Sequence, residues 1–527
     1  MRSGRASDDT PARPLPPPAC GQVALPFRGE GKNMQSFLTS HSIFFSRQTW
    51  YLLALFFIIR LTSYLLMPHL ILQGILVFCL LILLGILYFK NPAWAMLLVI
   101  TEILLGGSGQ YFQMADLSLR TLFIVFFFFL WLSYNWGQET LKLRLRQLPA
   151  TLSLILFLLS ITLLVSVIIA IKNGHPMTAI IQDIIPFAFL VLLYPAGHLL
   201  SDTKNQEYLI RLLAVFIIGS AIFSTFTFIM FSTGNSALQD HFYLWYRWIN
   251  AGKITDLGNH FFRVVESTHL LITPIILLIT SLLMRDERHN KMWRIFRWLA
   301  ILILVLNFSR GYFLALLVGL LVLKYKHKFK KWFVESFKTC FWIIFIFTAI
   351  SLITSGGKTM GWEQLGVRIQ SLVKPTIEIS AATRMMKLPI IWHQIINNPV
   401  VGYGLGSTII FYNSLTSITE TTAHYDWGYL EMWSELGLAG SLMLLIIYSY
   451  VIYLLIKKIK TIPDWHDFDV GLLAGLVALL VTNITVATLF HVFGIFFLVF
   501  ALSIALKYTT IFEQTTALLY RMFNRLR

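Results

Sequence analysis

The chain has 527 residues, 57% of them hydrophobic and 13% charged, with a mean hydropathy of +0.71. A soluble domain carries about 25% charged residues, so this composition cannot cover a water-facing surface and excludes an ordinary soluble enzyme. The formal net charge of +17 would suggest nucleic-acid binding in a soluble protein. Here the lysines and arginines sit in short clusters between apolar runs, the pattern that orients a membrane protein, so no nucleic-acid partner is expected.

Residues 1–33 carry Pro14, Pro16, Pro17 and Pro18 among scattered charges. They lack the apolar core of a signal peptide and read as a disordered cytoplasmic tail, with Met34 as an alternative start. Apolar runs of about 20 residues, enough to cross a bilayer as helix, then recur to Lys507. They fall at about 50–67, 69–89, 93–107, 119–135, 150–171, 179–200 and 209–231. Further runs fall at about 266–284, 293–308, 312–325, 339–355, 428–456, 470–487 and 489–506. The runs are continuous rather than alternating, which predicts helices and not a barrel. The expected architecture is an all-α polytopic membrane protein of about 12–14 spans. Its parts are N-terminal spans (34–231), a first external segment (232–265), spans with a hairpin (266–355), a long, partly helical external loop (356–427), C-terminal spans (428–506) and a tail (507–527).

The basic clusters Arg285–Arg294, Lys324–Lys331, Lys457–Lys460 and Arg521–Arg527 all fall on one side of this threading, which puts both termini in the cytoplasm. Residues 298–323 test it. A single span there would bury Arg310 at its centre, at a cost of at least about 2.5 kcal/mol. Two short spans joined at Ser309-Arg310-Gly311 avoid that cost and keep both flanking clusters inside.

Few cations remain outside, and each becomes a candidate ligand for a phosphate or pyrophosphate, because guanidinium donates paired hydrogen bonds to phosphate oxygens. They are Arg263 in Asn259-His260-Phe261-Phe262-Arg263, Arg310 at the hairpin tip, and Arg384 near Lys387. Taken singly, each fits equally well as a residue snorkelling to lipid headgroups. His424, near the end of the long loop, has the proton affinity of a general base, and Asp426 or Glu435 stands close enough in sequence to orient it or compete with it. The Gly402–Gly406 run lacks the strand–turn–helix setting of a nucleotide loop but suits a turn that approaches a ligand closely. Gly356-Gly357-Lys358-Thr359 fails as a phosphate loop because Leu352 stands where its first glycine belongs. No His/Cys cluster has zinc spacing. Neither metal nor cofactor is expected.

Three ordered segments carry a resemblance. They are Asn307-Phe308-Ser309-Arg310-Gly311-Tyr312, then Asn398-Pro399-Val400-Val401-Gly402-Tyr403-Gly404-Leu405-Gly406, then His424-Tyr425-Asp426-Trp427-Gly428 with Glu435-Leu436-Gly437-Leu438-Ala439-Gly440. Together they resemble the O-antigen ligase and O-antigen polymerase superfamily of bacterial membrane glycosyltransferases. Many members have Asn directly after the histidine, where this chain has Tyr425. The resemblance implies transfer of a glycan from a polyprenyl (undecaprenyl) pyrophosphate donor to an acceptor hydroxyl, without metal, on the periplasmic face of the bacterial inner membrane. On that reading Arg310 and Arg263 hold the pyrophosphate and His424 serves the acceptor, all three as catalytic residues. Arg384, Ser309, Gly402, Gly404, Asp426 and Glu435 contact substrate. The expected partners are the lipid-linked donor, a glycan or lipid A–core type acceptor, and membrane lipids. An O-antigen ligase is the first reading and a repeat-unit polymerase the alternative. A transporter or flippase for polysaccharide or anionic lipid would instead show inverted repeats and mid-membrane charges; the sequence has no internal repeat, and Arg60 and Glu102 are its main ionisable residues inside spans.

Overall fold

A computed structural model describes residues 46–506 apart from 116, 136–148, 194–202, 235, 286–290, 375–378, 414–416, 424 and 462–465. The expected tails and His424 therefore lie outside the described residues. The first helices are α1 (Arg47–Leu66), α2 (Leu70–Lys90) and α3 (Pro92–Leu105), then a small hairpin of β1 (Gln113–Met114) and β2 (Leu117–Ser118), and α4 (Leu119–Asn135). Then come α5 (Ala150–Lys172), α6 (Met177–Ala188) with a 3-10 turn, α7 (Thr203–Ser232), α8 (Ser236–Trp248), and the hairpin of β3 (Gly252–Asp256) and β4 (Phe262–Glu266). A 3-10 turn (Ser267–Leu271) leads into α9 (Ile272–Leu283), followed by α10 (Lys291–Asn307), α11 (Arg310–Leu323) and α12 (Phe329–Thr354). The remainder is α13 (Trp362–Val373), α14 (Ile379–Asn397), a hairpin of β5 (Ile409–Asn413) and β6 (Ile418–Thr422), α15 (Gly428–Thr461), α16 (His466–Thr482) and α17 (Val492–Leu506).

Local chemistry sets several boundaries. Ser46 caps α1 by accepting from Thr49 N, and Asn91 caps α3 with Pro92 in the first turn, where its missing N–H is not needed. Among the described residues, six helices are long and apolar enough to cross a membrane: α1, α2, α5, α7, α12 and α15. Several of them, α2 and α12 among them, leave large apolar side chains exposed around much of their circumference, as a lipid-facing helix does. By contrast every residue of α9 is buried, so α9 is the centre of the bundle. Close approach of its neighbours needs small residues: a Cβ at Gly471 of α16 would stand 2.8 Å from Leu278 Cα, and one at Gly319 of α11 would meet Leu277 Cδ1 at 2.2 Å. The molecule is an all-α polytopic membrane protein, with its few strands confined to three two-stranded hairpins among the described residues.

The hairpin expected at 309–311 is present as α10 and α11, which break at Phe308-Ser309. The basic ends of the helices on either side meet: Lys331 Nζ donates to Arg285 O at 3.3 Å, and Arg285 Nε lies 3.5 Å from Asp467 Oδ2. The Ser309-Arg310 turn is at the opposite end of α10 and α11. Several buried ion pairs link separate elements. Arg120 Nε meets Glu102 Oε2 at 3.0 Å, Lys458 Nζ meets Asp469 Oδ1 at 2.7 Å, and Arg60 Nη2 is 3.8 Å from Glu266 Oε2.

The segment 356–427 folds around a core of its own, in which Ile391, Ile395, Ile409 and Tyr425 are buried together. Tyr425 Oη bonds Ser407 Oγ and donates to Gln394 Oε1 at 3.1 Å, tying α14 to the residues that precede α15. The sequence predicts one unbroken span from 428. Instead α15 breaks at Gly437, with φ 67° and ψ −178°, and residues 399–404 run alongside the gap. Tyr403 N donates to Ser434 O, Gly404 N to Glu435 O, Leu438 N to Pro399 O and Ala439 N to Val400 O, so backbone groups freed by the break are paired again.

Candidate functional site

Two cation-bearing groups lie away from the Arg285–Lys331 end of the bundle. The first is the turn between α10 and α11. Phe308 takes a positive φ of 44°, uncommon for a bulky residue, and its ring stacks on Phe347 at 4.8 Å. The turn leaves Ser309 and Arg310 half-buried at the start of α11. A cation at a helix N-terminus adds to the positive end of the helix dipole, so the position favours a bound anion. Arg263, half-buried on β4, reaches the same turn: its Nε donates to Asn307 O at 2.8 Å. Arg263 thus reaches the turn that carries Arg310, 47 residues further along the chain.

The second group surrounds Asp426, which itself has φ 62°. Lys387 Nζ, on the buried face of α14, meets Asp426 Oδ2 at 3.0 Å and lies 5.5 Å from the Phe411 ring centre. Arg384, one helical turn earlier, also faces Asp426; its Nε is buried without a hydrogen-bond partner, and its carbonyl accepts from Trp427 Nε1 at 3.5 Å. Burial pushes the Asp426 carboxyl up, but Lys387, then Arg384, and more weakly Lys253 outweigh it, so Asp426 sits below the usual carboxylate range. A carboxylate so stabilised is a weak proton acceptor, which argues against Asp426 as the base and for a role in holding Lys387 and Arg384.

The β3–β4 hairpin joins the two groups. Lys253 pairs with Val265 and Thr255 with Arg263 in the antiparallel register, so Lys253 and Arg263 project from one face of the hairpin. Its other face buries Val264 and Glu266. Arg263 extends to the α10–α11 turn while Lys253 acts on Asp426.

The glycine run plays a different part from the one its spelling suggests. Gly402 and Gly404 are buried. A Cβ at Gly402 would lie 2.4 Å from Gly437 N, and one at Gly404 would lie 2.5 Å from Ala170 N. Their close approach is to the chain's own backbone, at the break in α15 and the end of α5. Glu435 is likewise only 1% exposed. Its carboxyl faces Asp183 of α6 and Glu431, so it too lies within the protein. Glu431 Oε2 accepts from Tyr425 N at 3.0 Å, and Glu431 Oε1 lies 3.7 Å from His491 Nε2.

Sequence reasoning passed over Lys387 and Lys253 as site residues. The signal for Lys387 was available, because it lies three residues after Arg384 and so shares its helical face. Lys253 needed the hairpin register. Among the described residues, no cluster of three or more His, Cys, Asp or Glu is arranged to hold a metal ion.

No curated protein matches the chain. Residues 295–445 match the family model described as O-antigen ligase. The match runs from within α10 into α15 and encloses Ser309, Arg310, Arg384, Gly402, Gly404, His424, Asp426 and Glu435, while Arg263 and Lys253 precede it. Over this segment the chain is similar to the O-antigen ligase family, which supports the resemblance carried by the three ordered motifs.

Proposed function

We propose that this protein transfers a glycan from a polyprenyl pyrophosphate donor to an acceptor hydroxyl, as an O-antigen ligase. The observation that carries the reading is the hydrogen bond from Arg263 to Asn307 O, which brings the strand bearing one cation to the turn bearing another, Arg310, inside the family-matched segment. The acceptor oxygen attacks the anomeric carbon, the bond from that carbon to the phosphate oxygen breaks, and the leaving polyprenyl pyrophosphate takes the electron pair. Arg263 and Arg310 stabilise the charge that grows on it, with Ser309 beside them as a further contact. Arg384, Lys387 and Lys253 form the second cationic surface, for the donor's other phosphate or its glycan. His424 takes the acceptor's proton; its place two residues before Asp426 supports this role. The chain's own cations supply the charge, as the family resemblance implies.

The basic clusters at the other end of the bundle, including Arg285 and Lys331, support a cytoplasmic placement of that end, and hence a site facing the periplasm. The test is glycan transfer by the purified protein, with lipid-linked donor and candidate acceptors. A ligated acceptor supports a ligase, a lengthened lipid-linked glycan a polymerase, and the absence of either product a transporter. Arg310→Ala and His424→Ala should each abolish transfer while expression and membrane insertion stay normal. Retention of activity by both variants would falsify the site assignment.

A further inference from the structure

Beneath the arginine turn lies a chain of buried polar groups that an apolar bundle does not need for its stability. Arg60 of α1 is 4% exposed. It donates from Nη1 to Phe56 O at 3.2 Å and Leu105 O at 3.0 Å, and its guanidinium carbon lies 3.4 Å from the Phe56 ring centre. It pairs with Glu266, the last residue of β4, at 3.8 Å. The imidazole of His269 then makes the link that matters. Its Nδ1 accepts from Glu266 N at 3.2 Å, and Asn307 Nδ2 lies 3.1 Å from the same Nδ1. Two N–H donors on one ring nitrogen require its lone pair, so the proton is on Nε2, which faces Ser224 Oγ of α7 at 3.3 Å. All four groups, Arg60, Glu266, His269 and Asn307, are nearly inaccessible to solvent.

The register of this link connects it to the site. Glu266 is three residues after Arg263, and Asn307 is three residues before Arg310. One imidazole nitrogen therefore pins the strand that carries one arginine to the helix end that presents the other. Asn307 contributes twice: its side chain binds His269, and its carbonyl receives Arg263 Nε. Replacing buried ionic groups by apolar ones is often neutral or stabilising, so stability gives no reason for this arrangement, whereas the spacing of two cations does.

We propose that His269, with Asn307, Glu266 and Arg60, is a positioning device that fixes Arg263 and Arg310 relative to one another. The proposal rests on the reading of those arginines as pyrophosphate ligands. His269→Leu removes the acceptor, whereas His269→Asn places an amide oxygen near the position of Nδ1. Asn307→Ala removes the side-chain link but keeps the carbonyl used by Arg263, and serves if His269→Leu does not fold. In the purified full-length protein, kcat for glycan transfer should fall about 10- to 100-fold in His269→Leu and in Asn307→Ala, the scale of a misplaced catalytic group. Inhibition by inorganic pyrophosphate should weaken with it, and His269→Asn should recover both. Thermal unfolding of each variant reports the fold separately. If His269→Leu or Asn307→Ala transfers glycan and responds to pyrophosphate like the unmodified protein while Arg310→Ala is inactive, the positioning proposal fails and the site assignment stands. Equal losses in His269→Leu and His269→Asn, tracking a lowered unfolding temperature, would reduce the network to a structural role. If Arg263→Ala and Arg310→Ala are both active, the reading beneath the proposal fails instead.

Discussion

Replacing Arg263 by lysine asks one ammonium to do what the guanidinium does with separate nitrogens. Nε holds Asn307 O at 2.8 Å, and the remaining N–H donors of the fork are on the two terminal nitrogens. A lysine retains the positive charge but presents all its donors from a single atom on a flexible stem. It cannot hold the carbonyl and address a phosphate in the same geometry. The hydrogen bond at risk is one to a charged group, worth about 1.5–3 kcal/mol. At a factor of ten for each 1.4 kcal/mol, kcat/KM should fall by about 10- to 150-fold in Arg263→Lys. Arg263→Ala should fall further, since the charge is lost as well. The assay is steady-state glycan transfer in lipid nanodiscs at fixed salt with varied donor. Arg263→Lys within twofold of the unmodified protein, alongside an inactive Arg310→Ala, would show that charge alone matters at 263 and that the bond to Asn307 is incidental.

Gly437→Ala should prevent accumulation of folded protein. At φ 67° and ψ −178° an alanine is strained by about 1–3 kcal/mol, and its Cβ would also lie 2.2 Å from Val400 O; size-exclusion profile and unfolding temperature in detergent read the result, and a normal profile would contradict the break. Lys387→Met should lower stability by about 1–2 kcal/mol, less than the 3–5 kcal/mol of a fully buried broken pair, because the Asp426 side chain is 33% exposed and Arg384 still faces it. The sign with pH follows from the lowered Asp426 pKa: the pair's contribution is complete above the ordinary aspartate pKa of about 3.9 and is lost as pH falls through the depressed folded value. Unfolding temperatures of the two proteins should therefore differ at neutral pH and converge in acid; a constant offset would contradict the pairing.

Much of the bundle was legible because a membrane span is a local property. The apolar runs, the hairpin forced by Arg310, and the partly helical character of 356–427 all follow from composition within a window of about 20 residues. What composition does not announce depends on partners far along the chain. Arg60 stood out as an ionisable residue in a span, but its partner Glu266 lies beyond several intervening helices, and Arg120, the partner of Glu102, was not weighed. Lys253 and Arg263 share a face only through a hairpin register that composition does not announce. The Gly402–Gly406 run was legible as a turn. The target of its close approach was not, because that target is a break in α15 at Gly437, visible only when the two segments lie side by side. Glu435 is close to His424 in sequence, and only the fold shows that its carboxyl also faces Asp183 of α6.

That break also has a consequence for how the chain is assembled. During synthesis residues 399–404 emerge before α15, yet they supply Pro399 O and Val400 O as acceptors for Leu438 N and Ala439 N. Until the loop docks, the entry to the last long span presents unpaired amides to a medium that offers no water, each at a cost of several kcal/mol. The span is therefore completed by the loop rather than by itself. Shortening residues 399–404 would disturb insertion of α15 as well as the surface above it, and a polypeptide cut between the two segments should still reassemble when both pieces are made together.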